Sequence, residues 1–512
     1  MNPPKPGGFP QADEKPRYFF SRWLFLKILA AAYFAAFGSL WLQVDGLIGE
    51  RGILPATSFL NALRQQWGPS AFWSMPTLCW ADSSNGFLHF LCGGGVLLSL
   101  LLFFGIAPIV CLALLWIFYL SLVSVGQDFL AFQWDNLLLE AGLLAVFATP
   151  LQARLKRGEE GPPLPAPVLF LFQWLLFRLM FGSGMVKLTS GDPTWRNLTA
   201  LEYHYWTQPL PPLSAWFMSQ LPGWFQKISC VYMFGAELLA PFLIFGPRKL
   251  RPAAFLLLAS LQTFILFTGN YCFFNYLSLG LCFFALEDAV WPGWFKRWWA
   301  SPTQPGITPK PPAFRWPSWV IGAFAAVAIY MTGLQMSSSM GFQVPWPGWM
   351  VGIYRGLDPL RSFNSYGLFA VMTTSRPEIT VEGSDDGINW KPYGFKWKAG
   401  DLNRPPLYVA PYHPRLDWQM WFAALGNPQE NPWFENFMIR LLQGSPDVLG
   451  LLASNPFPQG PPRFIRAEVY DYQFTDFSEK KTSGNWWKSE YKGPYMRPFS
   501  LDQVDLRAQG LN

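Results

Sequence analysis

Charged side chains inside long apolar segments are the residues of this chain that could do chemistry. Asp135 and Glu140 lie within the apolar run 129–149, Arg178 lies in the middle of a later run, and Glu237 lies in a third. A charge at membrane depth is costly and persists only where it is paired, hydrated or functional. We therefore expect a membrane protein with a polar interior.

Glu140 and Arg178 are predicted to lie at similar depth in two consecutive apolar spans. Adjacent antiparallel helices would bring the two side chains into contact, and pairing would offset the cost of desolvation. One interpretation is an ion pair that fixes the register of the two helices. The other is a role in moving a proton or a substrate.

Lys187 closes the outer end of the span that holds Arg178, and His204 lies in the loop beyond it. With Asp135 near the outer end of its own span, these residues suggest a polar cavity on one side of the membrane. A desolvated lysine there would have a lowered pKa and could act as a base. Alternatively, Lys187 caps its helix and extends its amine to the interface.

The composition agrees with a protein embedded in a lipid bilayer. Of the 512 residues, 51% are hydrophobic, 18% are aromatic and only 14% are charged. The formal net charge of +6 includes no basic stretch dense enough to indicate nucleic-acid binding. The chain has three histidines without ligand spacing and no CxxC pair, so we expect no metal and no cofactor.

Hydropathy predicts about nine transmembrane helices within a membrane domain at 23–334, taking roughly 20 apolar residues as one crossing. The predicted spans are 23–44, 87–104, 106–126, 129–149, 167–186, 228–246, 253–269, 271–286 and 317–334.

Lys and Arg set the predicted orientation, because they concentrate in cytoplasmic loops. They cluster in the N-terminal tail 1–22 and in the segments 154–157, 248–251 and 296–315, which the nine spans place on one side. The tail is therefore predicted to be cytoplasmic. An odd number of spans places the C-terminal domain, 335–512, on the extracytoplasmic side.

Strand-like alternation replaces long apolar runs after about residue 334. The segments 379–382 and 464–474 alternate with period two, and Asp386-Gly387 indicates a hairpin turn between strands. The segment 418–453 has a helical pattern broken at Asn-Pro pairs. We predict a β-rich domain, either α+β or sandwich-like. It has no cysteine, which favours a bacterial envelope protein over a disulfide-stapled one.

Five long motifs resemble the lipase maturation factor family. They lie at 133–142, 182–216, 373–390, 405–425 and 455–475. Animal members of that family are endoplasmic-reticulum membrane proteins needed for the folding and assembly of secreted lipases. The resemblance implies a chaperone-like membrane protein with a C-terminal domain outside the cytoplasm. The scarcity of cysteine suggests a bacterial homologue in the inner membrane, with an exported lipase or other hydrolase as its client.

The segment 180–204 also resembles the corresponding membrane region of vitamin K-dependent gamma-carboxylases. In those enzymes a lysine at this place is the catalytic base, and Lys187 alone could inherit the role here, with Asp135 or His204 assisting. This resemblance implies a membrane-embedded enzyme as the alternative function. A transporter is a weaker hypothesis, because the chain has no clear internal repeat.

The segment 415–422 concentrates large side chains in the C-terminal domain. The residues concerned are Arg415, Asp417, Trp418, Trp421 and Phe422. One interpretation is that they pack in the core of the domain. The other is that they form an aromatic surface that binds a client protein.

Overall fold

The computed structural model describes residues 16–150, 152–158, 162–299, 316–342 and 345–508. Most of the predicted cytoplasmic tail, residues 1–15, lies outside these ranges. So do residues 300–315 of the basic segment 296–315.

Helices form most of the chain up to residue 357. In chain order they are α1 (Phe19–Trp41), α2 (Val44–Ile48), α3 (Ala56–Trp67), α4 (Ala71–Ser74), α5 (Asn85–Phe103), α6 (Pro108–Val125), α7 (Gln133–Ala148), α8 (Ala166–Thr189), α9 (Pro193–Arg196), α10 (Ala200–Thr207), α11 (Leu213–Ser219), α12 (Gly223–Phe234), α13 (Ala240–Phe245), α14 (Arg251–Thr268), α15 (Phe274–Cys282), α16 (Gly293–Trp299), α17 (Ser318–Ser339) and α18 (Gly348–Leu357).

Seven of the described helices are long and apolar enough to cross a membrane. They are α1, α5, α6, α8, the continuous helix Gly223–Phe245 that contains α12 and α13, α14, and α17. The two other predicted spans are shorter. The run 129–149 is helical only over the 16 residues of α7, because it begins with a 3-10 turn and Phe132 is extended. The run 271–286 is helical over Phe274–Ala285.

Glycine allows α1 and α5 to approach closely at the centre of the helical part. A Cβ atom on Gly95 of α5 would overlap the ring of Phe37 in α1. Phe37 and its neighbour Tyr33 are completely buried, and both rings meet Tyr119 of α6. The main apolar core therefore surrounds α1. The six cysteines are free and buried, in keeping with small apolar residues.

The C-terminal part contains one antiparallel sheet of four strands in the order β2-β1-β3-β4. The strands are β1 (Pro377–Ser384), β2 (Lys391–Pro392), β3 (Phe464–Phe474) and β4 (Trp487–Phe499), and the helices are α19 (Arg415–Leu425), α20 (Pro432–Leu442), α21 (Pro446–Leu449), α22 (Phe477–Ser483) and α23 (Leu501–Ala508). The predicted hairpin is present, since Glu382 of β1 pairs with Pro392 of β2.

The sheet packs against helices, so the domain is α+β and the sandwich-like prediction is wrong for the described residues. Strand β3 buries both of its faces. Ile465 and Ala467 enter the main core beside α20. Tyr472 and Phe474, on the opposite face, pack in a second cluster with Trp216 of α11. The sheet is therefore covered on one side by its own helices and on the other by the short helices α10 and α11.

Candidate functional site

Asp135 and Arg415 join the membrane helices to the C-terminal domain. Asp135 lies in the first turn of α7 and Arg415 in the first turn of α19. The two Nη atoms of Arg415 lie 2.8 and 3.0 Å from the two carboxylate oxygens of Asp135. The Tyr119 hydroxyl also donates to Asp135, and the Phe129 carbonyl accepts from Arg415 at 2.7 Å. Neither charged side chain is exposed.

The electrostatics of this pair favour the charged form of Arg415. Burial by itself lowers the pKa of an arginine, but the adjacent Asp135 carboxylate outweighs burial and raises the pKa of Arg415. The guanidinium therefore stays protonated and binds a carboxylate in the bidentate geometry that arginine favours.

Glu140 and Arg178 form the second buried ion pair, as their matching depth predicts. The other oxygen of Glu140 accepts from the Tyr366 hydroxyl at 2.7 Å and from the Asn364 amide at 3.2 Å. Arg178 also donates to the Asn364 carbonyl at 2.6 Å. The loop 362–367 thus closes over the pair and binds one carboxylate oxygen of Glu140, while Arg178 binds the other.

Lys187 forms the third buried pair, with Glu237. Its Nζ atom lies 2.7 and 2.9 Å from the two oxygens of Glu237 and 3.1 Å from the Ser183 carbonyl. An ammonium has three N–H donors and no acceptor. Three acceptors therefore surround the amine and match its three N–H donors.

A π-helical turn places Glu237 opposite Lys187. The turn spans Gly235–Leu239, between α12 and α13. Pro241 follows it, and a proline lacks the N–H that would bond to the carbonyl four residues earlier, here that of Glu237. In membrane-spanning helices a local π turn is one way to satisfy the backbone groups that a proline leaves free. On the facing helix, a Cβ atom on Gly184 would lie 2.7 Å from the end of the Leu238 side chain and 3.1 Å from Cβ of Glu237, so a larger residue there would force these side chains to shift.

A cavity of about 330 Å³ lies between the membrane helices and the C-terminal part. Its floor contains Lys187, Glu237 and Gln262 from three of the candidate spans. The remaining lining consists of Gln133, Trp134, Leu179, Met180, Ser183, Pro209, Ile265, Tyr271, Phe274, Gly367, Leu368, Phe369, Ala370, Val371, Trp418, Trp421 and Phe422. The cavity is thus largely apolar and aromatic, with one neutralised ion pair.

The predicted grouping of Lys187 with Asp135 and His204 in one cavity is wrong. Asp135 is held by Arg415, and neither Asp135 nor His204 lines the cavity that contains Lys187. His204 lies 3.3 Å from the Tyr271 hydroxyl and packs edge-on against Phe369. Burial, and then the nearby charge of Lys187, lower the pKa of His204 to about 4.

Most of the predicted surface at 415–422 is buried. Arg415 is completely buried, and Asp417 and Trp418 are 3% exposed. Asp417 accepts from the backbone N–H groups of Trp397 and Lys398. These hydrogen bonds connect α19 to the loop that follows β2. Phe422 is 41% exposed, and Trp421 is half-buried. The first three residues pack internally, and only the end of the segment reaches the surface.

Arg376 is a buried charge that the sequence did not indicate. It forms an ion pair of 2.8 Å with Glu378 and donates to the carbonyls of Trp206, Gln208 and Pro209. Burial lowers the pKa of Arg376, and the Glu378 carboxylate opposes that shift. Both residues lie in a short polar stretch at the start of β1, where hydropathy gives no sign of burial.

Two family models match the chain. The model described as the lipase maturation factor transmembrane domain matches residues 20–293. The model described as the lipase maturation factor C-terminal domain matches residues 362–497. Together they include every ion pair and the whole cavity described above.

Curated relatives resemble the chain over nearly its full length. Lipase maturation factor 2 of Gallus gallus is 36% identical over 95% of this chain and 82% of its own length. The factor 2 of Homo sapiens is also 36% identical, with 95% and 83% covered. Lipase maturation factor 1 of Bos taurus is 34% identical, with 96% and 90% covered. No solved structure matches the chain significantly.

Proposed function

The chain belongs to the lipase maturation factor family, and on this basis we propose that it assists the folding or maturation of an exported lipase or another exported hydrolase. The observation that carries the proposal is the match of both family domains within one chain. Relatives that share both domains are named as lipase maturation factors. Both domains are needed in this proposal, because the buried Asp135–Arg415 ion pair joins them.

Deletion of the chain from its host tests this function. We expect exported lipases to be made at normal levels but to lose activity, and an intact copy of the chain to restore it. Lipase activity is measured per unit of lipase protein, so that poor synthesis is distinguished from poor maturation. Normal specific activity of every exported lipase in the deletion strain would contradict the proposal.

The proposed topology has the N-terminus in the cytoplasm and residues 335–512 on the extracytoplasmic side of a bacterial inner membrane, with α7 and α15 as two further crossings. Contacts at the helix ends support this assignment of sides, because they bring together the segments that the topology places on the same side of the membrane. Arg22, near the start of α1, donates to the Pro162 carbonyl, and Ser21 donates to the Leu286 carbonyl. At the opposite end, Asn270 donates to the Leu407 carbonyl of the C-terminal part.

Alkaline-phosphatase fusions test the orientation. A fusion at Gly341, beyond α17, should be active, and one at Gly158, in the basic segment between α7 and α8, should be silent. If neither α7 nor α15 crossed, three spans would precede Gly158 and seven would precede Gly341, so both fusions would be active. Fusions at Gly126 and Gly269 therefore determine whether α7 and α15 cross. The reverse pattern at Gly341 and Gly158 would refute the orientation.

The C-terminal domain is proposed to recognise the client. Phe422 is the member of the segment 415–422 that remains exposed, and it borders the cavity. Phe422→Ser should lower the recovery of lipase activity while leaving the amount of folded protein unchanged. Ile388→Ser is the matched control, because Ile388 is 80% exposed in the hairpin turn of the same domain. Equal effects of the two changes would show that Phe422 has no specific part in recognising the client.

A further inference from the structure

A groove of about 660 Å³ lies on the outer surface of the helical part, between α1, the end of α5 and the segment that follows α7. Its wall is apolar. Leu24 and Ile28 lie four residues apart on one face of α1, and Phe103 and Phe104 lie at the end of α5. Phe104 is 69% exposed. Exposed apolar side chains on membrane spans face lipid tails, which are equally apolar, so the bilayer supplies the occupant of this groove.

The turn after α5 holds the basic segment against the groove. Two backbone hydrogen bonds of 2.8 Å join this turn to the segment that ends at Leu155. Gly105 in the turn has a φ of +73°, and a Cβ atom there would overlap the Leu155 carbonyl oxygen, so glycine is required. The next two residues in the chain, Lys156 and Arg157, are thereby placed in the lining of the groove.

Three cations line the groove, and among the described residues of its lining there is no carboxylate. Lys27 donates to the Phe103 carbonyl at the end of α5, where a helix leaves carbonyls without an intrahelical partner. An ammonium has two further donors. The guanidinium of Arg157 lies 4.6 Å from the ring centre of Trp298. Stacking of this kind uses the flat face of the guanidinium and leaves its N–H edge for an anion. Lys156 is exposed.

The positive charge of this region survives when its acidic neighbours in sequence are included. The segment 154–160 contains three cations and two glutamates, hence a net charge of +1, and Lys27 adds a second positive charge. The glutamates, Glu159 and Glu160, lie outside the described residues. Basic pockets between membrane helices bind the headgroups of anionic lipids. The apolar wall beside the cations matches a lipid whose acyl chain adjoins an anionic headgroup.

We propose that this groove binds an anionic phospholipid, with an acyl chain along Leu24 and Ile28 and the phosphate between Lys27, Lys156 and Arg157. A guanidinium binds two phosphate oxygens at once, which suits Arg157 to this role. A free phosphate would contact the cations but leave the apolar wall uncovered, and a zwitterionic lipid brings its own cation. The proposal concerns a lipid ligand and does not depend on the maturation of a lipase.

Photolabelling of the full-length protein in phosphatidylcholine nanodiscs tests the site. The probe is a phosphatidylglycerol with a diazirine in one acyl chain, and labelled peptides are identified by mass spectrometry. We expect labelling of the segments 24–31 and 103–107. Unlabelled phosphatidylglycerol in the disc should compete, whereas an equal share of phosphatidylethanolamine, which is zwitterionic, should compete poorly. Inorganic phosphate in the buffer, compared with chloride at matched ionic strength, should leave the labelling unchanged.

Two double variants provide the matched comparison. Lys156→Gln with Arg157→Gln removes two exposed cations from the groove and should reduce labelling roughly ten- to thirtyfold, because one cation beside an anionic headgroup contributes roughly fivefold. Lys249→Gln with Arg297→Gln is the control. It removes two exposed cations from the other basic segments, and neither of them lines the groove. Labelling should be nearly unchanged in this control.

Three outcomes would overturn the proposal. They are equal competition by phosphatidylglycerol and phosphatidylethanolamine, competition by inorganic phosphate, which would indicate an anion site without lipid specificity, and equal effects of the two double variants. The first comparison uses the unaltered protein, so a folding defect cannot obscure it. No lipase is present, so failure here is distinguishable from failure of the proposed function.

Discussion

Asp135 of α7 and Arg415 of α19 form a bidentate ion pair between positions 280 residues apart, and neither side chain is exposed. Each charge is expensive to bury alone, so each domain depends on the other for its partner. Tyr119 completes the arrangement by donating to the carboxylate. The pair therefore acts as an electrostatic bond between the membrane helices and the C-terminal domain.

Arg415→Ala should strongly destabilise the protein. It leaves Asp135 buried without its counter-charge, which costs on the order of 3–5 kcal/mol. We expect a lower yield of monodisperse protein in detergent and a lower apparent melting temperature. Arg51→Ala is the control, because the Arg51–Asp447 bridge joins the same two parts of the chain but leaves 64% of the arginine side chain exposed. Such a bridge contributes about 0–1 kcal/mol, so equal effects would refute the argument.

The Glu140–Arg178 pair is expected to be structural. Arg178→Ala should lower the amount of folded protein, because Glu140 would keep only the donors of Tyr366 and Asn364. Glu140→Gln combined with Arg178→Gln removes both charges and should recover part of the loss. The measurement is the fraction of expressed protein that elutes as a single species. If Arg178→Ala folds normally but no longer supports lipase maturation, the pair belongs to a functional site instead.

The sequence allowed the Glu140–Arg178 contact to be predicted, because both residues lie in long apolar runs whose direction and depth follow from hydropathy. It also allowed strands β1 and β3 to be predicted from their alternation. It did not indicate that Arg415 would pair with Asp135, or Glu237 with Lys187. Those partners lie in elements whose packing depends on tertiary structure, and the π turn that places Glu237 depends on Pro241 and on the approach at Gly184.

His204 should make stability depend on pH. Its pKa is about 4 in the folded protein, against roughly 6.5 for an unperturbed histidine. Between these values the unfolded chain binds a proton that folded His204 does not. Stability is therefore complete above about pH 6.5, falls as the pH falls toward about 4, and levels off below that. Apparent melting temperatures at pH 7.5, 6 and 5 should show this decrease.

His204→Gln should reduce that decrease without abolishing it. His413 is completely buried, and burial and then Arg415 hold its pKa well below the ordinary value, so it contributes in the same direction. A variant with both His204→Gln and His413→Asn should depend less on pH than either single variant. Identical pH profiles for the unaltered protein and His204→Gln would show that His204 is not responsible.

Variants of Lys187 distinguish a structural role in the ion pair with Glu237 from a role as a catalytic base. Lys187→Met leaves Glu237 buried without a counter-charge and should lower the amount of folded protein, whereas Lys187→Met with Glu237→Gln should recover part of it. Lys187→Arg keeps the positive charge but cannot act as a base near neutral pH. Because the amine already donates to Glu237 and to the Ser183 carbonyl, we expect Lys187→Arg to retain lipase maturation. A variant Lys187→Arg that folds with an unchanged melting temperature yet fails to mature lipase would place proton-transfer chemistry at this lysine.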